Sequence, residues 1–139
     1  MRASGFRDHE PSAWVAEGLL IYLTAAAQQQ LFAGIDELAC AGSRLALEEG
    51  RPMDPQAFRA KVAEAEAAST DDRAQWRRLV YNEQIAPAAD WFAGRGRSAT
   101  ATALVDYLRS VDREPPDGEV EVVNMVASIT LVEAVKGEN

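Results

Sequence analysis

Histidine and cysteine are almost missing from this sequence: of 139 residues one is His (His9) and one is Cys (Cys40). A single cysteine excludes an internal disulfide, and one histidine beside it cannot complete a Cys/His zinc site, so no metal ligands are assigned. The Ser-His-Asp and Cys-His arrangements of nucleophilic catalysis need a histidine next to the nucleophile. His9 lies instead in the polar leader MRASGFRDHEPS and reads as surface. Positive charge is also short. Against 22 Asp+Glu stand 14 Lys+Arg, giving a net charge of −8. Nucleic acid and anionic membrane surfaces both demand a basic face, so neither is expected as a partner. No apolar run approaches the ~18 residues of a membrane span, and the N-terminus lacks a signal-peptide core. A cytoplasmic protein is the expectation. Neither GxGxxG nor a Walker phosphate loop occurs. The fragment GRGRS at Gly94–Ser98 follows a helical pattern, where a helix C-cap accounts for its glycines.

What is present is the composition of one folded domain: 47% hydrophobic and 26% charged residues, which separates it from a disordered tail. Ala13–Leu20 (AWVAEGLL) is rich in Trp, Val and Leu and predicts a buried strand leading into a loop. Thr24 is an N-cap for a helix over Ala25–Ala39, with Leu31, Ile35 and Leu38 on one face. Ser43–Glu48 (SRLALE) predicts a second strand. Asp54-Pro55 is a strong helix start, and Thr70-Asp71-Asp72 restarts a helix with acids at its positive end, giving a helical insertion at about 54–78. Pro87 opens a short helix through Trp91 and Phe92. Ser98–Thr102 predicts a strand, and Leu104, Leu108 and Val111 mark a helix. Pro115-Pro116-Asp117-Gly118 is a loop, and Val126–Val135, dense in β-branched residues, predicts the last strand. Strands alternating with helices indicate an α/β sheet with helical cover. The chain opens on a buried-looking strand with no helix left to cover it, as part of a larger fold would.

Glu17 stands out chemically, because an ionised carboxylate inside an apolar stretch is expensive unless paired or hydrogen-bonded. Ligands of open α/β sheets bind at the carboxyl ends of strands, where Glu17 should fall. A carboxylate there can accept hydrogen bonds from a ligand's hydroxyl or ammonium group; equally, it can cap a turn or pair with an arginine. Glu48 and Glu49, ending the second strand, either face the same crevice or form a solvated strand end. Trp14, Trp76 and Trp91 read as core, and Cys40 as a small apolar packing residue.

The run PSAWVAEGLLIYL at Pro11–Leu23 resembles a segment of the mycobacterial-type S-adenosylmethionine-dependent methyltransferases related to leucine carboxyl methyltransferases. QQQLFAGIDELACAGSRLALE at Gln28–Glu48, LVYNE at Leu79–Glu83, DWFAGRG at Asp90–Gly96 and a closing strand ending AVK agree in order. The resemblance covers nearly all of residues 1–139 and implies the C-terminal portion of a Rossmann-like, seven-stranded methyltransferase fold: strands four to seven with covering helices, without the N-terminal half that carries the cofactor's glycine loop and ribose acid. It implies S-adenosylmethionine as cofactor, with Glu17 against its amino-acid end, Trp14 and Gly18 as neighbours, and Tyr22 on the substrate side. The implied reaction is methylation of a carboxylate or similar small acceptor, whose identity these residues do not give. One departure is Arg97, where the family commonly has Trp; looser packing under the sixth strand is the expectation. A non-catalytic remnant, or an interaction piece that folds with a partner chain, is the alternative. On the same resemblance the fourth strand lacks its neighbour, so self-association or pairing with the absent half is expected.

Overall fold

The computed structural model describes residues 5–67 and 79–137. Four strands form one mixed sheet: β1 (Ala13–Ala16), β2 (Arg44–Gly50), β3 (Arg97–Ala103) and β4 (Ile129–Lys136), in the order β1-β2-β4-β3. β1 and β2 are parallel, with Ala13 opposite Arg44 and Ala16 opposite Leu47. β4 is antiparallel to both β2 and β3. The expected α/β sheet, and the adjacent parallel pair that opens it, are therefore present.

Between β1 and β2 runs α1 (Ala25–Leu38). Thr24 caps it: its Oγ1 accepts from the Ala27 N–H at 3.2 Å. Gly42, at φ +81°, then makes the turn into β2 in a left-handed conformation that a β-carbon would disfavour. α2 (Pro55–Ala67) begins as its sequence predicts, with Asp54 Oδ1 accepting from the N–H groups of Gln56 and Ala57 at 2.9 and 3.0 Å. The helix restart at Thr70 lies outside the described residues, as does the rest of the insertion to residue 78. α3 (Ala88–Ala93), α4 (Leu104–Ser110) and α5 (Val120–Ser128) are the remaining α-helices among the described residues.

Register organises the sheet into rows. Trp14, Leu45, Ala134 and Ala99 form one row and Ala16, Leu47, Val132 and Ala101 the next. Leu45, Leu47, Val132 and Ala134 of these inner rows are buried among the side chains of α1 and α3. There Phe32, Trp91 and Phe92 pack edge-to-face or tilted, with ring centroids 4.9–5.4 Å apart. The opposite rows are Ala13, Arg44, Val135 and Ser98, and Val15, Ala46, Glu133 and Thr100. This outer face is largely exposed among the described residues.

Two expected strands are shortened. β1 stops at Ala16 rather than Leu20, because Gly18 at φ +60° turns the chain and Leu20–Tyr22 closes a 3₁₀ turn. β4 starts at Ile129 rather than Val126, since Val120–Ser128 is helical despite four valines. That helix begins just after the Pro115–Gly118 loop, and Glu121 in its first turn complements the helix dipole. Val123 and Val126, three residues apart, are its half-buried valines, so helical packing overrides β propensity. Arg97 also departs from expectation. It is 4% exposed, and its Nε donates to Asp36 Oδ1 at 2.7 Å, with Nη2 at 2.7 Å from the same oxygen but out of line for a second hydrogen bond. Its guanidinium approaches the Phe92 ring at 5.4 Å, so the space beneath β3 is filled by the buried Arg97, paired with the half-buried Asp36.

Candidate functional site

Because β1 and β2 are parallel, their carboxyl ends open on the same side of the sheet. The segments leaving these ends, with α2 and α5, surround a cleft of about 1240 Å³. Ile21, Met53, Phe58, Val62, Val80 and Met125 give it an apolar lining, and Arg51 and Lys61 are cations on its wall. Lys61 pairs with Glu121 at 3.6 Å, linking α2 to α5. The Arg51 guanidinium donates to the Ala127 carbonyl at the end of α5, at 3.3 Å.

One wall is the segment Leu79–Pro87, held by three consecutive polar side chains. Asn82 forms a reciprocal pair with the Met53 backbone, accepting its N–H at 2.7 Å and donating to its carbonyl at 2.9 Å. Glu83 Oε2 accepts from the Ala25 N–H at the start of α1, at 2.8 Å. Gln84 Nε2 donates to Glu49 Oε2 at 3.1 Å. The Tyr81 N–H adds a 2.7 Å hydrogen bond to the Ile21 carbonyl. Behind this wall Gln28 is 3% exposed, and its Nε2 reaches the carbonyls of Leu20, Leu23 and Glu83 at 3.3, 3.1 and 2.9 Å. One amide thereby joins the β1 loop, α1 and the 79–87 segment.

Glu49 is not a solvated strand end; it lines the cleft, but its carboxylate is engaged by the fold. It is 8% exposed and accepts the Ala88 N–H at 3.0 and 3.3 Å, satisfying the first turn of α3. Glu48, next to it, is half-buried on the other face. Gln28, Asn82 and Gln84 escaped the sequence reading. The signal for Gln28 was its place in the i, i+4, i+7 stripe with Phe32 and Ile35, a polar residue on a buried face.

The residues singled out for cofactor and substrate are separated. Glu17 and Gly18 are exposed at the tip of β1, outside the cleft's described lining. The Glu17 side chain is exposed and makes no hydrogen bond or ion pair among the described residues, so the burial that drew attention to it does not occur. Trp14 is half-buried on the inner face, its Nε1 donating to Ser12 Oγ at 2.8 Å and its ring 5.5 Å from that of Phe6. Tyr22 is 38% exposed in the 3₁₀ turn, and it is the preceding Ile21 that lines the cleft. His9 is on the surface beside Asp8, and Cys40 is half-buried near Ser43. Among the described residues no three His, Cys, Asp or Glu side chains gather as a metal site, and no helix is long and apolar enough to cross a membrane.

Comparison with known proteins gives consistent matches. The family model described as leucine carboxyl methyltransferase matches residues 1–36. A protein of Mycolicibacterium paratuberculosis, provisionally named an S-adenosyl-L-methionine-dependent methyltransferase, is 54% identical over 137 residues, covering 98% of this chain and 46% of the relative. Proteins with the same provisional name in Mycobacterium bovis BCG and Mycobacterium tuberculosis H37Ra are 51% and 50% identical, and the matches cover 46% and 41% of their lengths. The chain thus spans a little under half the length of these curated relatives.

Proposed function

We propose that this chain belongs to the mycobacterial-type methyltransferase family related to leucine carboxyl methyltransferase, that it carries part of an enzyme, and that it serves methyl transfer from S-adenosyl-L-methionine to a small acceptor. The four strands then correspond to strands four to seven of a seven-stranded Rossmann-like sheet, with β4 as the antiparallel seventh. The observation that supports this most is the tip of β1. There the parallel strand ends in Glu17-Gly18, with Gly18 at φ +60° and open space where a β-carbon would stand.

Glu17 fits the ammonium of the cofactor's amino-acid end: its carboxylate faces solvent and has no partner among the described residues. When bound, S-adenosyl-L-methionine supplies an electrophilic methyl group on a sulfonium. Gly18 leaves the approach to Glu17 open, and Trp14 holds the strand beneath by packing into the core face. The cleft takes the acceptor, and its apolar side chains exclude water from the line of attack. Displacement at a sulfonium consumes opposite charges, so the enzyme contributes mainly alignment and a dry site. A carboxylate acceptor is already ionised at neutral pH and needs no general base, in keeping with a site that has no histidine among its described residues. Tyr22 stands beside the cleft-lining Ile21, at the acceptor's entrance.

The test is calorimetric binding of S-adenosyl-L-methionine to this chain joined to the remaining portion of a relative, followed by methyl transfer to apolar carboxylates. Cofactor binding that Glu17→Gln leaves unchanged would remove the assigned role of that residue. Absence of any cofactor binding would refute the reading as a whole.

A further inference from the structure

The apolar side chains of α5 are turned toward open space. Val120, Val122 and Met125 are 75%, 38% and 54% exposed, and all three line the cleft. On the α2 side the lining includes Phe58 and Val62, four residues apart on one helical face and half-buried. Apolar side chains gathered in a concave site and left open to water mark a place for a ligand. The two helices run in opposite senses along the cleft. Arg51, just before α2, donates its backbone N–H to the carbonyl of Ser128 at the end of α5, at 2.9 Å. Farther out, the 3.6 Å pair of Lys61 with Glu121 joins the middle of α2 to the first turn of α5. Charge along this channel is ordered. Arg51 stands at the inner end, beside the carboxyl end of β2. One N–H of its guanidinium goes to the Ala127 carbonyl, as suits a cation at a helix C-terminus, and no carboxylate pairs with it among the described residues. The rest of its fork of donors is unspent. Glu64, Glu119 and Glu121 lie toward the outer end, with Glu119 about 12 Å from Ala127 at the helical rise.

A cation within, hydrocarbon between and acids at the mouth select among ligands. We propose that the cleft binds monocarboxylic acids with an extended apolar chain, the carboxylate held by Arg51 and the chain lying between α2 and α5. A guanidinium meets a carboxylate with two parallel N–H donors, so Arg51 determines which end of the ligand enters first. The acids at the mouth repel a second anionic group, which disfavours a dicarboxylic acid of the same length. An alkylamine can place its head only among those acids, and its chain then covers Arg51 without a partner. Short acids reach Arg51 but leave the apolar walls wet. The proposal rests on the methyl-transfer reading only in making the bound acid the acceptor; binding itself needs no cofactor.

Calorimetric titration of the 139-residue chain with dodecanoate, below its micellar concentration, is the test. Dodecanoate should bind about tenfold or more tightly than dodecanedioate, dodecylamine or acetate. Arg51→Gln should weaken dodecanoate about tenfold and dodecanol by less than about twofold, and Arg51→Lys should recover part of the loss. Met125→Asp, in the apolar wall, should weaken dodecanoate and dodecanol alike. Glu64→Gln combined with Glu119→Gln should narrow the gap between dodecanoate and dodecanedioate. Val15→Asp, on the outer face of the sheet where Val15 is 77% exposed, should change neither ligand, which separates the cleft from other bare apolar surface. Circular dichroism checks each variant's fold, and if Arg51→Gln unfolds, the head-group series on the native chain still decides. Equal affinity for acid and diacid, tighter binding of the amine, a folded Arg51→Gln without loss, or a Val15→Asp loss matching that of Met125→Asp would each overturn the proposal. So would binding that vanishes once the chain is joined to the remaining portion of a relative, because that portion would then fill the cleft. Dodecanoate bound by these rules in the joined protein but never methylated would support the site and count against the methyl-transfer reading.

Discussion

Replacing Glu49 by alanine removes the acceptor that starts α3. In the native structure its carboxylate takes the Ala88 N–H at 3.0 Å and the Gln84 amide at 3.1 Å, and Ala88 is wholly buried. A hydrogen bond to a charged group contributes about 1.5–3 kcal/mol, and truncating one partner leaves the buried N–H without an acceptor. Loss of a helix cap alone costs about 1 kcal/mol, so these overlapping contributions combine to a destabilisation of about 3 kcal/mol. Glu49→Gln keeps one acceptor oxygen for Ala88 but loses the charge, and should cost about 1 kcal/mol. Urea denaturation followed by tryptophan fluorescence reads both. With a slope of about 1.5–2 kcal/mol/M, the midpoint of Glu49→Ala should fall by about 1.5–2 M. The effect should appear without any ligand, because the contact is internal to the fold. A Glu49→Ala midpoint unchanged within error, or a loss equal for both variants, would refute the capping role.

Glu17→Gln should behave in the opposite way, weakening cofactor binding in the reconstituted enzyme by about 1.5–3 kcal/mol while leaving the denaturation midpoint unaltered; a stability loss with binding intact would make the residue structural. Gln28→Leu should destabilise by about 2–4 kcal/mol, since it strands the carbonyls that meet at its amide, and hydrogen exchange should report early opening at Leu20–Leu23 and Glu83; opening confined to α1 would argue against the hub. Arg97→Ala should cost about 3–5 kcal/mol by leaving Asp36 unpaired, while Arg97→Met combined with Asp36→Leu should recover most of it. A double variant as unstable as the single one would show that packing around Arg97, rather than the charge pair, dominates.

Local signals accounted for much of the architecture. Thr24, Asp54 and Pro87 announce helix starts from within a few residues, and the alternation in SRLALE marks a half-buried strand. The helix of Val120–Ser128 was hidden because its valines favour a strand locally, and only packing next to α4 decides otherwise. The candidate site was less legible for a related reason. Glu49 takes its partners from 35 and 39 residues away, and Asn82 meets Met53 across 29, so neither role leaves a short-range pattern. Glu17 was noticed for a burial it does not have, since Gly18 turns the chain before the strand can carry it inward. Arg97 was read as a packing fault, because its partner Asp36 lies 61 residues earlier on α1.

The strand order also constrains how the protein is made. β3 has β4 as its one ladder partner among the described residues, and β4 lies between β3 and β2 although it is the last of the four in sequence. A nascent chain that has emerged only to residue 128 holds β3 unpaired and β2 half-paired. Its final strand must then enter from the middle of the sheet rather than add to a rim. Pairings such as Arg44 with Val135 span most of the chain, and closing so long a loop is slow relative to helix formation. The emergence of β4, rather than early collapse, therefore sets the moment at which the four-stranded sheet can form, and a holdase acting before then would protect β3 from pairing with a neighbouring nascent chain.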